Sequence, residues 1–255
     1  MKLSVTPDAY DRSVGRFARE LAPRFAAFAG IPALPSGPVL DVGCGTGALT
    51  AWVAQRVGGA AISAVDPAEP FAAVCRERVP GADVRVASAE QLPFRERTFQ
   101  AALAQLVLSF VADAPRAAAE LRRVVRPGGP VAACSFEAHG FAPARLLFEV
   151  ARAIDPTAPD DGRLPLRTAP QLVALWSGAG LSDVRTGIID LDVDYDGFDD
   201  LWSMFPAGVG PAGTWFVAQP EDRRAALREA FLERLGRPRA GFSLPARVVA
   251  VVGRA

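Results

Sequence analysis

The sequence predicts an α/β fold: a doubly wound, mostly parallel sheet with helices on both faces. Three observations predict it. Between residues 39 and 136, short apolar runs alternate with amphipathic stretches of helical period, the pattern of strands joined by crossover helices. The first two runs each end on an acid, Asp41 and Asp66, and the first leads directly into Gly43-Cys44-Gly45-Thr46-Gly47, a turn with glycines at alternate positions. Hydrophobic residues make up 50% of the 255-residue chain. A chain of this size buries roughly 70% of its unfolded surface, so such a sheet needs no disulfide or metal to hold it.

The elements follow in order. Pro7 to Gly30 reads as a helical arm, because Val14, Phe17, Ala18, Leu21 and Phe25 recur at helical spacing. Pro23 lacks a backbone donor and is expected to kink or divide the arm. Ile31 to Pro38, with three prolines and a glycine, reads as a connector. Val39-Leu40 is a short strand. The helix after the glycine turn shows Leu49, Trp52, Val53 and Val57 on one face and closes at Gly58-Gly59. Strands are expected at Ala61–Val65, Val84–Ala87, Phe99–Val107 and Val131–Phe136, with helices at Pro67–Val79 and Ala114–Val125. The second half is less regular. Helices are expected at Phe141–Ile154, from Thr168 to about Gly178, and at Glu221–Leu235. Strands are expected at Val184–Ile189 and Leu244–Val252. Residues 1–38 thus form an N-terminal helical arm or cap, and residues 39–255 the main domain. Extra segments at about 137–166 and 191–240 sit where a lid over the sheet's carboxyl edge would be built.

Composition narrows the function classes. Basic and acidic residues balance at 28 each, without the basic excess of a duplex-binding protein; no nucleic-acid partner is expected. Lys2 is the only lysine and asparagine is absent, which reads as coding bias. Cys44, Cys75 and Cys134 are widely spaced, with no Cys-x-x-Cys, which argues against a disulfide framework and a zinc site. No metal is expected. The N-terminal residues lack a signal-peptide core, and no apolar run reaches spanning length. A cytoplasmic protein is the expectation.

The glycine turn carries the chemistry. Glycines let the backbone turn sharply and approach a ligand, and the next helix offers unpaired N–H groups. Gly43-x-Gly45-x-x-Ala48 also fits the loose dinucleotide fingerprint, which keeps a nicotinamide-dependent oxidoreductase as an alternative. Asp41 speaks against it. A carboxylate beside the turn would repel a pyrophosphate by about 1–4 kcal/mol at close approach, but would welcome an ammonium or sulfonium. S-adenosylmethionine has both cations and no phosphate. Asp66 ends the second strand, where a carboxylate accepts ribose hydroxyls; as a plain alternative it caps the helix after Pro67.

With these residues in view, Leu40-Asp41-Val42-Gly43-Cys44-Gly45-Thr46-Gly47 resembles the first motif of class I S-adenosylmethionine-dependent methyltransferases. Three further segments agree in order: Ala89-Glu90-Gln91-Leu92-Pro93-Phe94, Gln105 to Val111, and Leu121 to Gly129. Tyr10-Asp11-Arg12 with Gly15-Arg16-Phe17 resembles the N-terminal arm of the ubiquinone/menaquinone methyltransferase-like group of small-molecule methyltransferases. The resemblance covers roughly residues 8–136. It implies a Rossmann-like, doubly wound, mostly parallel seven-stranded sheet with an antiparallel last strand and helical lid insertions. It also implies S-adenosyl-L-methionine as cofactor and S-adenosyl-L-homocysteine as product. Asp41 would face the methionine ammonium, and Gly43, Gly45 and Gly47 would line the amino-acid portion. Asp66 would hold the ribose and Pro67 pack on the adenine. Ala89 and Glu90 would meet the adenine edge, and Gln105 and Leu106 would lie near the reactive sulfur. Tyr10 and Arg16 would close the cofactor from above, Arg16 toward its carboxylate. Ser88 stands where relatives carry an acid and would hydrogen-bond the adenine more weakly; Gln100 and Ser109 also depart from the pattern.

Methyl transfer from a sulfonium is an in-line displacement, needing a base only when the nucleophile must lose a proton. His139, the only histidine, and Tyr195 are the candidate catalytic groups; a surface-loop histidine is the plain alternative for His139. The acidic run from Asp190 to Asp200 reads as a solvated strand face. Trp202, Met204, Phe205, Trp215 and Phe216 either line an apolar pocket for an apolar or aromatic small-molecule substrate or pack the lid. An apolar lid is also what a homodimer interface would bury. A non-catalytic S-adenosylmethionine-binding partner protein is the remaining alternative.

Overall fold

The computed structural model describes residues 5–31 and 37–255; most of the expected proline-rich connector lies outside the described residues. Among the described residues seven strands form one sheet: β1 (Val39–Val42), β2 (Ile62–Asp66), β3 (Asp83–Val86), β4 (Ala101–Gln105), β5 (Pro130–Phe141), β6 (Ser182–Tyr195) and β7 (Phe242–Arg254), in the order β3-β2-β1-β4-β5-β7-β6. β1 to β5 pair in parallel, and the β5-β7-β6 end is antiparallel. The helices are α1 (Pro7–Arg12), α2 (Val14–Phe28), α3 (Ala48–Val57), α4 (Glu69–Arg78), α5 (Ala114–Val124), α6 (Ala142–Ile154), α7 (Ala169–Gly178), α8 (Phe198–Trp202), α9 (Gly210–Val217) and α10 (Glu221–Arg234). Among the described residues no helix is long and apolar enough to cross a membrane, and no group of three or more His, Cys, Asp or Glu side chains is placed to hold a metal.

The chain gathers into two compact units. Of the described residues, the larger comprises 18–31, 37–135, 165–189 and 248–255, and the smaller comprises 5–17, 136–164 and 190–247. In the larger unit, successive strand residues point to opposite faces. Leu40, Val42, Val65, Ala102, Ala104 and Val131 meet Leu121 and Val124 of α5 and Trp176 of α7 in one buried cluster. Ala64 and Val84 turn the other way, onto Ala72 and Cys75 of α4. Trp176 is fully buried, and its indole N–H donates to the Val131 carbonyl at 3.0 Å, so its one polar atom is satisfied. α5 begins where Asp113 accepts the Arg116 N–H at 3.0 Å, with Pro115 in the first turn. β1 lies between β2 and β4. There the strand order reverses, which opens a crevice at the carboxyl ends of β1 and β4.

In the smaller unit, α6 packs against α9 and α10. Phe198, Trp202, Phe205, Phe216 and Phe231 interlock, with Trp202 5.2 Å from Phe205, 5.3 Å from Phe216 and 5.6 Å from Phe231 between ring centroids. These rings and Met204 are buried. The aromatic residues of the insert therefore pack against each other, and only Trp215 stays half-exposed, against Phe148 at 5.5 Å.

Several boundaries differ from expectation, each for a local reason. The arm divides at Ser13 and not at Pro23, which lies inside α2. The Ser13 hydroxyl bonds the carbonyls of Ala9 at 2.8 Å and Tyr10 at 3.0 Å, taking up acceptors a continuing helix would use. α4 starts at Glu69 and not at Pro67, because Asp66 accepts the Ala68 N–H at 2.9 Å and forms an Asx turn first. β4 stops at Gln105, where Leu106 turns to φ +60. β5 runs on to Phe141, so His139 lies within that strand and not after it. β6 runs on to Tyr195. Ile189, Leu191, Val193 and Tyr195 are buried while Asp190, Asp192 and Asp194 are exposed, so the first three acids of the run form the solvated face of a strand, while Asp199 and Asp200 lie in the first turn of α8.

Candidate cofactor site

The site residues of the larger unit collect at the ends of β1, β2 and β4. Asp41, one residue from the end of β1, is only 1% exposed. Thr50, in the first turn of α3, gives it a hydroxyl bond of 2.6 Å and its backbone N–H. Among the described residues no cationic side chain pairs with it. Burial outweighs the Thr50 bonds and pushes its pKa from 3.8 up to about 7, with the nearby Asp66 charge adding to the rise.

The turn between Asp41 and α3 requires glycine. Gly43 has φ +72, and a Cβ there would stand 2.3 Å from Cγ2 of Val107. Its N–H donates to the Val65 carbonyl at 2.7 Å. Gly45 also has positive φ, and its N–H donates to Asp66 Oδ2 at 2.9 Å; Gly47, at φ +89, leads into α3. Asp66 therefore holds the turn with one oxygen and Ala68 with the other. Each carboxylate oxygen keeps a further lone pair for a ligand hydroxyl. Burial raises the Asp66 pKa, offset in part by the two N–H bonds. Asp66 serves the start of α4, but the cap residue itself is Ala68. Pro67 beside it is exposed.

On the adenine side expected from the sequence, Ser88 bonds Glu90, and Glu90 accepts the Ala112 N–H at 3.0 Å while its carbonyl accepts Arg116 Nε at 2.8 Å. Glu90 thus fastens this loop to the segment before α5, and the Ser88 bond holds its carboxyl below the usual range. Ala89 is buried. At the end of β4, Gln105 donates Nε2 to the Ala18 carbonyl at 3.0 Å, and its Oε1 is buried with no partner. Leu106, at φ +60, donates its N–H to the Cys134 carbonyl at 3.0 Å; a left-handed leucine is strain held by its surroundings. Ser109 and Ser135 bond each other at 3.1 Å.

This donor set fits a cationic adenosine compound. A buried acid without a cation, an amide oxygen without a donor and a ribose-ready acid stand where a diphosphate would need cations.

The remaining expected residues belong to the smaller unit. Tyr10 is half-buried on α1. Arg16 makes a two-pronged ion pair with Asp200 at 2.7 and 2.9 Å, donates to the Asp194 carbonyl at 3.0 Å, and lies 4.7 Å from the Tyr195 ring centre. These bonds commit most of the guanidinium donors expected for a cofactor carboxylate. His139 has φ +62, an exposed side chain, and Nε2 3.5 Å from Asp160 Oδ1. It borders a shallow cleft with Glu137, Arg145, Asp190 and Arg247. Tyr195 is 4% exposed, stacks on Phe242 at 5.7 Å, and its hydroxyl has no partner. Burial raises its pKa and so disfavours the phenolate. Tyr195→Phe removes only an unpartnered hydroxyl. Its melting temperature is expected to equal or exceed that of the wild type in a thermal scan; a clear drop would show a bond the structure lacks. Thr50, which completes Asp41, was not singled out from sequence. The signal was present: a threonine on the buried side of α3, in its first turn.

The fold and these residues define an α/β protein that gathers a buried acid, a glycine turn and a second acid at the carboxyl ends of β1 and β2. The family profile described as "Methyltransferase domain" matches residues 40–133. A nocamycin O-methyltransferase from Saccharothrix syringae is 29% identical over 96% of this chain and 94% of its own. A malonyl-[acyl-carrier protein] O-methyltransferase from Serratia marcescens is 34% identical over 38% of this chain, and the match spans 37% of that relative's length. Among solved structures, an S-adenosylmethionine-dependent methyltransferase from Thermotoga maritima superposes with a TM-score of 0.53 at 19% identity, over 97% of this chain and 99% of that one. Geranyl diphosphate C-methyltransferase from Streptomyces coelicolor A3(2), in complex with S-adenosyl-L-homocysteine, superposes at 0.52 and 16% identity, over 92% of this chain and 80% of that one. Residues 40–133 thus match a methyltransferase domain, and the chain shares the fold of S-adenosylmethionine-dependent methyltransferases.

Proposed function

We propose that this protein transfers a methyl group from S-adenosylmethionine to a small organic acceptor by in-line displacement, in the cytoplasm. The observation that carries the reading is Asp41, buried near the end of β1, bonded to Thr50, with no cation beside it among the described residues. When bound, S-adenosylmethionine supplies a methyl on a sulfonium, an electrophile that needs no activation. The chain's residues bind and orient. Asp41 takes the ammonium, the turn from Gly43 to Gly47 accommodates the amino-acid portion, and Asp66 takes ribose hydroxyls with its spare lone pairs. Gln105 Oε1 offers an acceptor at the end of β4. Positioning of this kind can supply about 7–11 kcal/mol of the barrier in favourable cases, so no catalytic triad is required. The acceptor class rests on relatives named for O-methylation of nocamycin and for demethylmenaquinone, the second 31% identical over 50% of this chain. The even balance of 28 acidic and 28 basic residues favours a small molecule over nucleic acid.

Calorimetric titration with S-adenosylhomocysteine tests this. Micromolar binding is expected, weakened about a hundredfold in Asp66→Ala, which loses the ribose acceptor and the bond to Gly45; a hundredfold is about 2.7 kcal/mol. Absence of heat with the wild type, or an unchanged affinity in Asp66→Ala, would contradict it.

A further inference from the structure

We propose that Arg116, Glu120 and Arg123, a polar stripe on α5, form a clamp that shapes the loop after β3 to seat the cofactor's adenine. The seating rests on the cofactor reading above; the grip on the loop stands by itself. Strand order places the base. With the ammonium on Asp41 of β1 and the ribose on Asp66 of β2, the ligand runs along the carboxyl ends of the strands toward β3, the outer neighbour of β2. Val86 ends β3 in register with Asp66, and the Ala87 N–H donates to the Asp66 carbonyl at 3.2 Å. The loop after β3 therefore starts beside the ribose and is the next surface the base meets.

Residues 87–94 are neither helix nor strand, so their backbone groups need other partners. Side chains of α5 supply them. Arg116 Nε donates to the Glu90 carbonyl at 2.8 Å. Glu120 Oε2 accepts the Leu92 N–H at 2.8 Å. Arg123 donates from Nη2 to the Leu92 carbonyl at 3.1 Å and from Nη1 to the Phe94 carbonyl at 2.8 Å. Arg123 also bonds both oxygens of Glu120, at 2.6 and 2.8 Å, so each holds the other's planar group in place. Residues three and four apart share one helix face, which aligns 116, 120 and 123. Beside them runs the apolar stripe of Ala117, Leu121 and Val124, buried in the core. One stripe anchors α5 and the next grips the loop. The grip falls on main-chain atoms, so it sets the course of the loop itself. Ala89 and Leu92 are buried, and Phe94 meets Phe99 edge-on at 4.9 Å. The three are positioning residues, each acting on the ligand through the loop.

Loosening the clamp costs affinity for the base and spares the rest of the ligand. The test compares S-adenosylhomocysteine, titrated by calorimetry, with S-ribosylhomocysteine, the same ligand without adenine, read by its displacement of the first. Arg123→Lys keeps the charge but loses the planar fork that spans two carbonyls and a carboxylate. Glu120→Ala removes the acceptor for Leu92, while Glu120→Gln still offers it an amide oxygen. Arg123→Lys and Glu120→Ala are expected to weaken S-adenosylhomocysteine about tenfold, which is about 1.4 kcal/mol, and S-ribosylhomocysteine by less than about twofold. Glu120→Gln should stay within about threefold of wild type for both. Equal weakening of the two ligands would overturn the proposal, because a general structural role disturbs the whole site. Unchanged affinity for S-adenosylhomocysteine in Arg123→Lys and Glu120→Ala would overturn it as well. Wild-type protein that binds neither ligand would overturn the cofactor reading and the seating with it. The grip is then decided by amide hydrogen exchange across residues 88–94, expected to be faster in both variants than in wild type; equal exchange would overturn it. Should either variant fail to fold, Arg116→Ala, which removes one bond at an exposed position, is read in the same way, with about a threefold loss expected for S-adenosylhomocysteine alone.

Discussion

S-adenosylhomocysteine is expected to bind about tenfold more tightly for each pH unit gained between about pH 5 and about pH 7, and to level off above. The cause is Asp41, whose pKa burial raises from 3.8 to about 7 in the free protein. Below about pH 7 the acid is protonated, and an ammonium must displace that proton to pair with it. The same group sets a stability trend of definite sign. Between 3.8 and about 7 the folded chain keeps a proton that the unfolded chain has lost. Stability of the free protein therefore falls as pH rises through this window, by an amount on the order of 4 kcal/mol. Saturating S-adenosylhomocysteine supplies the missing cation, so the slope should flatten. Asp41→Asn cannot ionise; its affinity should be weak and insensitive to pH over the window, and its free form should lose less stability toward neutral pH. Calorimetry and thermal scans of both proteins across the window check this. A wild-type affinity flat from pH 5 to 7 would remove Asp41 from the account.

The second large effect is expected at Gly43. Alanine there suffers twice. A left-handed backbone costs an L residue about 1–2 kcal/mol, and the new Cβ would stand 2.3 Å from Val107 Cγ2 and 2.8 Å from Cγ1. Valine is branched at Cβ and has little rotameric freedom to retreat. Gly43→Ala should lower the melting temperature and weaken S-adenosylhomocysteine more than tenfold. The double variant Gly43→Ala, Val107→Ala separates the causes: removing the branched side chain relieves the clash but not the backbone strain. Partial recovery of affinity is expected, measured by the same titration. No loss in the single variant would mean the turn tolerates a side chain, and the positional argument for glycine would fail.

Legibility from sequence followed the strength of local punctuation. β1, β2 and the glycine turn were readable because Asp41, Gly43 and Asp66 mark strand ends by chemistry that nothing else in the chain imitates. The ends of β5 and β6 were not, because their distal halves belong to the smaller unit and carry a different pattern. In Ile189-Asp190-Leu191-Asp192-Val193-Asp194-Tyr195 the strict alternation already reads as a solvated strand face, and burial of every second residue agrees, although the expected strand stopped at Ile189. The break at Ser13 arises from a side chain competing for helix carbonyls, which propensity cannot reveal when a proline stands nearby. Thr50 carried a local sign, a threonine in the first turn of α3, but its bond to Asp41 depends on how α3 returns along β1; the bond from Gln105 to the Ala18 carbonyl likewise depends on tertiary packing that spacing along the chain does not give. Arg16 shows the reverse case: its motif suggested a cofactor contact, while Asp200, far away in sequence, claims its guanidinium.

The most direct test of the central claim is a crystal structure of the protein with S-adenosylhomocysteine. The expected result places the ligand's amino nitrogen against the Asp41 carboxylate, directly or through one water, with the ribose hydroxyls on Asp66. A ligand whose amino group points away from Asp41, leaving that acid bonded to Thr50 alone, would contradict it.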